Sequence, residues 1–431
     1  MSLHAASRIA SRIAIRVRAR GGLPSVLIIV VVALAATLAT ASFGASAATN
    51  RTASVSATKA PYQVGVSGDL TSFGAGTYAG VINAFQLYFG LLNTKGGING
   101  HPVELQIKDD QDNPSMVSTN IHDFVAAKVN AVFLADFSTN LGAYTAGMGD
   151  MPTISGNDCY PPSTAPHPDS NFFCVGASSS TDYVAIAQSI KREMPHIAPG
   201  KPLKYAVIEE DIPGCVSDMN NYILPDMAAI GAKLVDKSVI PTSTIDMTAS
   251  ARAALADNAD VIIHYCASSN AISLAKELKV YGFKGMFVTG GPLPGVVAEM
   301  PSLKTPTLYA VDWWSLPNGD PVWAKMRAAI KLGNSKFAIT DLRFGWADAI
   351  VMAAALTKCG YPCSHSKLNT VMNHLTVSSK DLVDLMGNPS VWTPRNHTGP
   401  VKTYFLHSWD AKTGTVTNAL SPFTVTQTPD K

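Results

Sequence analysis

Four places in the sequence group residues that could do chemistry. Asp109-Asp110-Gln111-Asp112 is the densest acidic run. Paired carboxyls can divide acid and base roles when burial forces them to share a proton. Directly after an apolar run at 103–107, however, a solvated turn capping the helix after Pro114 is the plainer expectation. Glu209-Glu210-Asp211 ends a second apolar run at 205–208. Ligands of parallel α/β sheets bind beyond the carboxyl ends of the strands, which makes these carboxylates candidates for contact with a solute. His264 lies in the apolar stretch 261–265 and reads as a packed strand residue before it reads as a base or ligand. Trp313-Trp314 reads as packing at a domain seam, with the wall of a cleft as the alternative.

Catalytic signatures do not appear. The sequence holds no Gly-x-Ser-x-Gly elbow, P-loop, Gly-x-Gly-x-x-Gly fingerprint or His-Glu-x-x-His helix. No enzyme activity, cofactor or metal centre is therefore expected. The six cysteines are Cys159, Cys174, Cys215, Cys266, Cys359 and Cys363. Six allow fifteen full pairings. Sequence distance favours Cys159–Cys174 and Cys359–Cys363, which leaves Cys215 and Cys266 for each other. Partly free thiols stay open as an alternative, and zinc is disfavoured because no Cys-x-x-Cys occurs.

The elements that must position these residues alternate. Short β-rich runs fall at 64–66, 103–107, 131–134, 153–155 and 172–175, then at 205–208, 233–240, 261–265 and 286–289. Helical patterns lie between them at 78–93, 115–127, 181–194, 217–230, 249–256 and 269–281, where Ile272, Ala275 and Leu278 recur on one face. Helices are expected again at 321–332, 340–358 and 366–375, and strands at 401–409 and 415–425. Glycines at Gly96-Gly97, Gly231 and Gly282 mark helix ends. Such alternation predicts parallel sheets covered by helices. The runs are too many for one sheet, and the break between Cys174 and Tyr205 predicts two α/β lobes.

The 431 residues, 47% hydrophobic and 15% charged, suit a globular chain of two or three domains. The net charge is +2. Five arginines (Arg8, Arg12, Arg16, Arg18 and Arg20) precede residue 48 with no acid or lysine among them. Beyond them 28 basic residues face 31 acidic ones, a net charge of −3. That balance disfavours a nucleic-acid partner. The arginines, the apolar run 26–41 and Ala45-Ser46-Ala47 occur in the order of an export signal. Residues 1–47 are thus expected to be a cleaved signal peptide and 48–60 a flexible tail. The competing reading is an uncleaved anchor. The mature chain is expected outside the cytoplasmic membrane, in a periplasm or at a cell surface, where disulfides persist.

Residues 62–114, YQVGVSGDLTSFGAGTYAGVINAFQLYFGLLNTKGGINGHPVELQIKDDQDNP, bring a resemblance into view. Gly96, Gly97, Ile98, Asn99, Gly100, Asp109, Asp110, Asn113 and Pro114 follow the order and spacing of the leucine/isoleucine/valine-binding family of solute-binding proteins. The likeness continues through Ser138-Thr139, 152–155, Val207-Ile208, 260–264 and 285–290, and closes with Gly399-Pro400-Val401 and Ser408-Trp409-Asp410. It covers essentially the whole expected mature chain.

The resemblance implies the type 1 periplasmic-binding fold: α/β, with two Rossmann-like lobes of parallel sheet joined by three hinge crossings near 177–181, 311–316 and 399–402. Lobe 1 would be 61–178 plus 314–400, and lobe 2 would be 179–313 plus 401–425. It implies a monomer that closes on a small polar or amino-acid-like solute and delivers it to the permease and ATPase of an ABC importer. A ligand-sensing module of a signalling system is the alternative. Position by position, Ser138 and Thr139 match the loop that cups a ligand carboxylate, at the start of a helix over 140–148. Ser155, Asn157 and Asp158 match the next loop, Thr77 or Tyr78 the mouth, and Ser179 a contact to the ligand ammonium. In lobe 2, Ala267, Ser268 and Gly291 stand where the family has aromatic and acidic groups. Asp158, Glu209, Glu210 or Asp211 would then supply the missing charge. That departure predicts that leucine, isoleucine and valine are not the best ligands.

Overall fold

The computed structural model describes residues 59–136, 140–155, 171–290, 293–319, 321–377, 390–394, 397–398 and 403–425. All of them belong to one compact unit, Ala53–Lys431. The expected signal peptide lies outside the described residues.

Two sheets carry the fold. The first has strands β1 (Tyr62–Gly68), β2 (Val103–Asp109), β3 (Ala131–Ala135), β4 (Thr153–Ser155) and β5 (Phe172–Cys174) in the order β2-β1-β3-β4-β5. Every pairing in it is parallel. Its central strands are buried on both faces, which is why they read as continuous apolar runs rather than as alternation. The second sheet runs β14-β13-β10-β9-β8-β6-β7. It contains β6 (Lys204–Glu210), β7 (Lys233–Ile240), β8 (Val261–Ile263), β9 (Met286–Thr289), β10 (Leu308–Asp312), β13 (Thr403–Asp410) and β14 (Thr415–Thr424). β6 to β10 are parallel, and the β13–β14 hairpin adds antiparallel strands at one edge. A two-stranded ribbon, β11 (Thr376–Val377) with β12 (Ser390–Val391), stands apart.

In the first sheet, helix α1 (Ala75–Asn93) follows β1, α2 (Pro114–Ala127) follows β2, and α3 (Leu141–Gly147) follows β3. The turn after α1 needs a left-handed residue. Gly97 has φ +72°, and a Cβ there would lie 2.0 Å from the His101 carbonyl oxygen. The start of α2 is capped by Asn113, whose side chain accepts from the Ser115 N–H; the acidic run before it does not supply the cap. After β5 come α4 (Ser179–Ile197), then α5 (Pro213–Asp218), one π turn (Met219–Ile223) and α6 (Leu224–Ala229) as a single irregular helix. α7 (Thr248–Ala256), α8 (Ser268–Val280) and α9 (Pro294–Leu303) cover the second sheet. The buried face of α8 runs through Ala271, Leu274, Ala275 and Leu278, with Ile272 only half-buried. The expected stripe was therefore rotated by one position at its start.

The chain then crosses back through α10 (Pro321–Gly333), α11 (Arg343–Cys359) and α12 (His365–Met372). α11 lies so close to α1 that a Cβ on Gly345 would sit 1.8 Å from the Val81 carbonyl oxygen. Only glycine permits that approach.

The short ribbon strands β11 and β12 and two larger elements have no counterpart in the sequence reading. β10, flanked by Thr305-Pro306 and Trp313-Trp314, is a central strand that reaches into the expected crossing at 311–316. Helix α9 carries Gly295 and Pro301, so its pattern does not announce a helix. Disulfides join Cys215–Cys266 and Cys359–Cys363, with Cα–Cα separations of 5.9 Å and 5.6 Å. Cys174 is disulfide-bonded as well, and Cys159, its expected partner, lies outside the described residues.

Candidate functional site

In each sheet the helix after a strand begins at the strand's carboxyl end, so the loops at those ends gather the candidate residues. The two sets of loops meet. The Thr77 hydroxyl, at the start of α1, lies 3.4 Å from the Ser268 hydroxyl at the start of α8, and both side chains are buried. Gly295 of α9 is close by: a Cβ there would stand 3.3 Å from both the Gly76 carbonyl oxygen and the Ser268 Cβ. Tyr78 is buried in α1. Ser155 is buried at the end of β4, and Ser179 heads α4. Ser138, Thr139, Asn157, Asp158 and Gly291 lie outside the described residues.

The first sheet's carboxyl edge is tied to itself. Asp69 accepts from the Thr71, Ser72 and Gly74 N–H groups at 3.1, 2.7 and 2.6 Å and from the Ser72 hydroxyl at 2.5 Å. It thereby fixes the loop entering α1. Asp109 accepts from the Leu70 N–H and the Thr71 hydroxyl. Asp110 does not match the solvated turn expected of it. It is fully buried and accepts the Ser67 hydroxyl at 2.8 Å. Burial, with Asp69 and Asp109 nearby, pushes its carboxyl up to about 7 against the pull of the Ser67 and Asp112 hydrogen bonds.

The second edge gathers Glu209, Glu210 and His264, all with no exposed surface. β6 and β8 are neighbours with Val207 opposite Ile263, so the residues just beyond meet at one level. His264 Nδ1 contacts the Ile208 carbonyl at 2.7 Å. Its Nε2 lies 3.3 Å from both Glu210 Oε1 and the Ala267 carbonyl. Glu209 Oε1 accepts the Tyr265 N–H at 3.0 Å. Burial raises the Glu209 carboxyl well above its ordinary value. Burial alone would lower the imidazole, but the Glu210 charge, Glu209 and the Ile208 carbonyl outweigh it and hold His264 up to about 10. Asp211, by contrast, is exposed. His264 is packed as expected, yet it also stands at the centre of the candidate charge cluster, a position its spacing of 54 residues from Glu210 does not disclose.

A second network joins the site to the sheet's antiparallel edge. Asp182 of α4 accepts the Tyr404 hydroxyl at 2.7 Å and the Tyr265 hydroxyl at 3.1 Å. Burial pushes its carboxyl up to about 7. Neither Asp182 nor Tyr265 was a candidate from sequence. Trp313 and Trp314 pack on each other, ring centroids 4.3 Å apart, and both meet Phe344 edge-on. The adjoining Asp312 pairs with Arg343 at 2.7 Å, and His407 Nε2 contacts the Trp314 carbonyl at 2.9 Å. The tryptophans are packing at a crossing between the sheets.

The model of the periplasmic binding protein family matches residues 61–415. The chain belongs to that family. Solved structures share the type 1 fold of this periplasmic binding protein. A branched chain amino acid ABC transporter from Thermus thermophilus with bound valine is 16% identical, covering 85% of this chain and 97% of that one at TM-score 0.72. A solute binding protein from R. palustris in complex with 4-hydroxybenzoate is 15% identical, covering 85% and 98% at TM-score 0.69. A fatty acid ABC transporter substrate-binding protein from Thermomonospora curvata is 17% identical, covering 84% and 92% at TM-score 0.67. At these identities the likeness is one of fold. No curated protein matches the sequence.

Proposed function

We propose that this periplasmic binding protein captures a small polar or amino-acid-like solute outside the cytoplasmic membrane. It then passes the solute to the permease and ATPase subunits of an ABC importer. The observation that carries the reading is the meeting of two carboxyl edges of parallel sheet, within 3.4 Å at Thr77 and Ser268. A solute held between them is buried when the lobes, 61–178 plus 314–400 and 179–313 plus 401–425, close. Residues 1–47 act as the export signal, and the protein does no chemistry on its cargo.

The fold relatives named above include binders of valine, 4-hydroxybenzoate and fatty acid, all carboxylic acids. That supports a carboxylate on the cargo, cupped by Ser138, Thr139 and Ser155. Asn157, Asp158 and Ser179 complete that side, and Ala267, Ser268 and Gly291 face them. Branched-chain amino acids are disfavoured because an α-ammonium needs a buried anion. Here Glu209 and Glu210 already face His264, and Asp211 is exposed.

Isothermal titration of ligand-stripped protein against amino acids, amides, 4-hydroxybenzoate and fatty acids tests the reading. An amino-acid-like or amide solute is expected to bind at micromolar affinity or tighter. Leucine as the best ligand of the panel would remove the specificity argument. No binding across the panel, with no small molecule released on denaturing the purified protein, would remove the capture role.

A further inference from the structure

We propose that Glu209, Glu210 and His264 form a binding site for one divalent transition-metal ion of the zinc class. A ligand atom from each residue lies within 4.8 Å of the other two. All three side chains are fully buried. Among the described residues, Glu209 Oε2 and both carboxylate oxygens of Glu210 have no hydrogen-bond partner. A buried carboxylate oxygen left unpaired is strongly unfavourable, and here Glu209 Oε2 and Glu210 Oε2 converge with Glu210 Oε1, whose one charged neighbour is His264 Nε2 at 3.3 Å.

The ring is oriented for a ligand's role. Its Nδ1 is engaged by the Ile208 carbonyl at 2.7 Å, the outer contact that commonly fixes a metal-binding histidine with Nε2 pointing inward. Nε2 lies 3.3 Å from both Ala267 O and Glu210 Oε1, longer than a well-formed N–H···O bond. It is shared between the two. A bound ion displaces the proton that the glutamates hold on His264; two carboxylates and the deprotonated imidazole then match the charge of a divalent ion, and one nitrogen with carboxylate oxygens suits zinc better than calcium or magnesium, which favour all-oxygen shells. Three protein ligands leave the fourth tetrahedral position for water or an oxygen of the solute.

The site does not depend on which solute the cleft takes, and its test is separate from solute titration. Full-length protein is stripped with chelator, dialysed against ZnCl2 and analysed for metal content, with affinity read by titration of ZnCl2. One zinc per chain at micromolar affinity or tighter is expected. Glu210→Gln and His264→Gln should each weaken it by roughly tenfold or more, at least the loss seen on disturbing a metal's outer contacts. X-ray absorption of the wild-type zinc form should show one imidazole with oxygen neighbours and no sulfur. Absence of stoichiometric uptake, unchanged affinity in both variants, or a spectrum with two or more imidazoles would each overturn the site. Should either variant fail to fold, anomalous scattering from wild-type crystals decides by locating the ion at these three residues or elsewhere.

Discussion

The carboxyl edges of the two sheets use the same acidic side chains in opposite ways. At the first edge Asp69 takes four donors from its own loop, and Asp109 and Asp110 take theirs from neighbours in sequence or across β1. At the second edge Glu209 has one oxygen satisfied by the Tyr265 N–H, while its other oxygen and Glu210 Oε2 find no donor among the described residues and Glu210 Oε1 faces only His264 Nε2 at 3.3 Å. An acid satisfied by its own loop is scaffold. An acid buried with oxygens to spare must be balanced by a neighbouring cation, here His264, or by something that enters. Burial alone does not separate the two cases; the list of donors does.

The comparison can be broken experimentally, and the largest expected effect concerns the crosslinks. Cys215–Cys266 spans 51 residues beside the second edge, and Cys359–Cys363 spans only 4. On the loop-entropy model, serine replacement of the first pair should lower stability by about 4 kcal/mol and of the second by about 2 kcal/mol. Equal losses in urea unfolding would show that loop length does not govern the second edge's stability. Next, Asp69→Ala removes an acceptor from three N–H groups and a hydroxyl, and should destabilise by about 3 kcal/mol or more. Glu209→Gln, which disturbs a single satisfied oxygen, should lose no more than about 1 kcal/mol. Similar losses in the two variants would erase the distinction between the edges.

The pH dependence sharpens the same contrast at a smaller scale. Asp110 at the first sheet's carboxyl edge and Asp182 on α4 are both raised by burial to about 7. A raised carboxyl binds its proton more tightly in the folded state. Its contribution is complete below the unfolded value near 4 and is lost as pH rises through 7. Stability should therefore fall between about pH 4 and pH 7, by about 1.4 kcal/mol per pH unit for each group. Asp110→Asn and Asp182→Asn should each flatten the curve, and a slope unchanged in both would show that other groups set it. The smallest effect is expected at the junction itself. Thr77→Ala removes a 3.4 Å hydroxyl contact and should weaken solute binding by about 0.5–1 kcal/mol, a few-fold in affinity. An unchanged affinity would detach that contact from closure.

The alternation of strand and helix was plain in the sequence because the sheet interiors require apolar runs and the glycines stop helices where a left-handed residue is needed. β10 was hidden because Pro306 and the paired tryptophans frame only five strand residues, Leu308–Asp312. Asp110 read as solvent-facing because an acidic run normally is; it is instead held by the Ser67 hydroxyl of β1, which in turn accepts from the Asn120 amide of α2. The site was legible only in part. Glu210 could be placed at a strand end by local pattern, but its meeting with His264 depends on β6 lying next to β8. Strand order is a property of the whole fold, which no local spacing encodes.

The tilted tryptophan pair at the crossing has an optical consequence. Trp313 and Trp314 are fully buried, with ring planes inclined at 32° and centroids 4.3 Å apart. Indole transitions this close exchange excitation, and the sign and amplitude of the resulting circular-dichroism couplet follow the angle between the rings. Their carbonyl and ring neighbours, His407 and Phe344, belong to β13 and α11. Repacking of either neighbour therefore alters the surroundings of the pair. The molecule carries a built-in chromophore pair whose couplet reads the packing at this crossing, in solution and without a label.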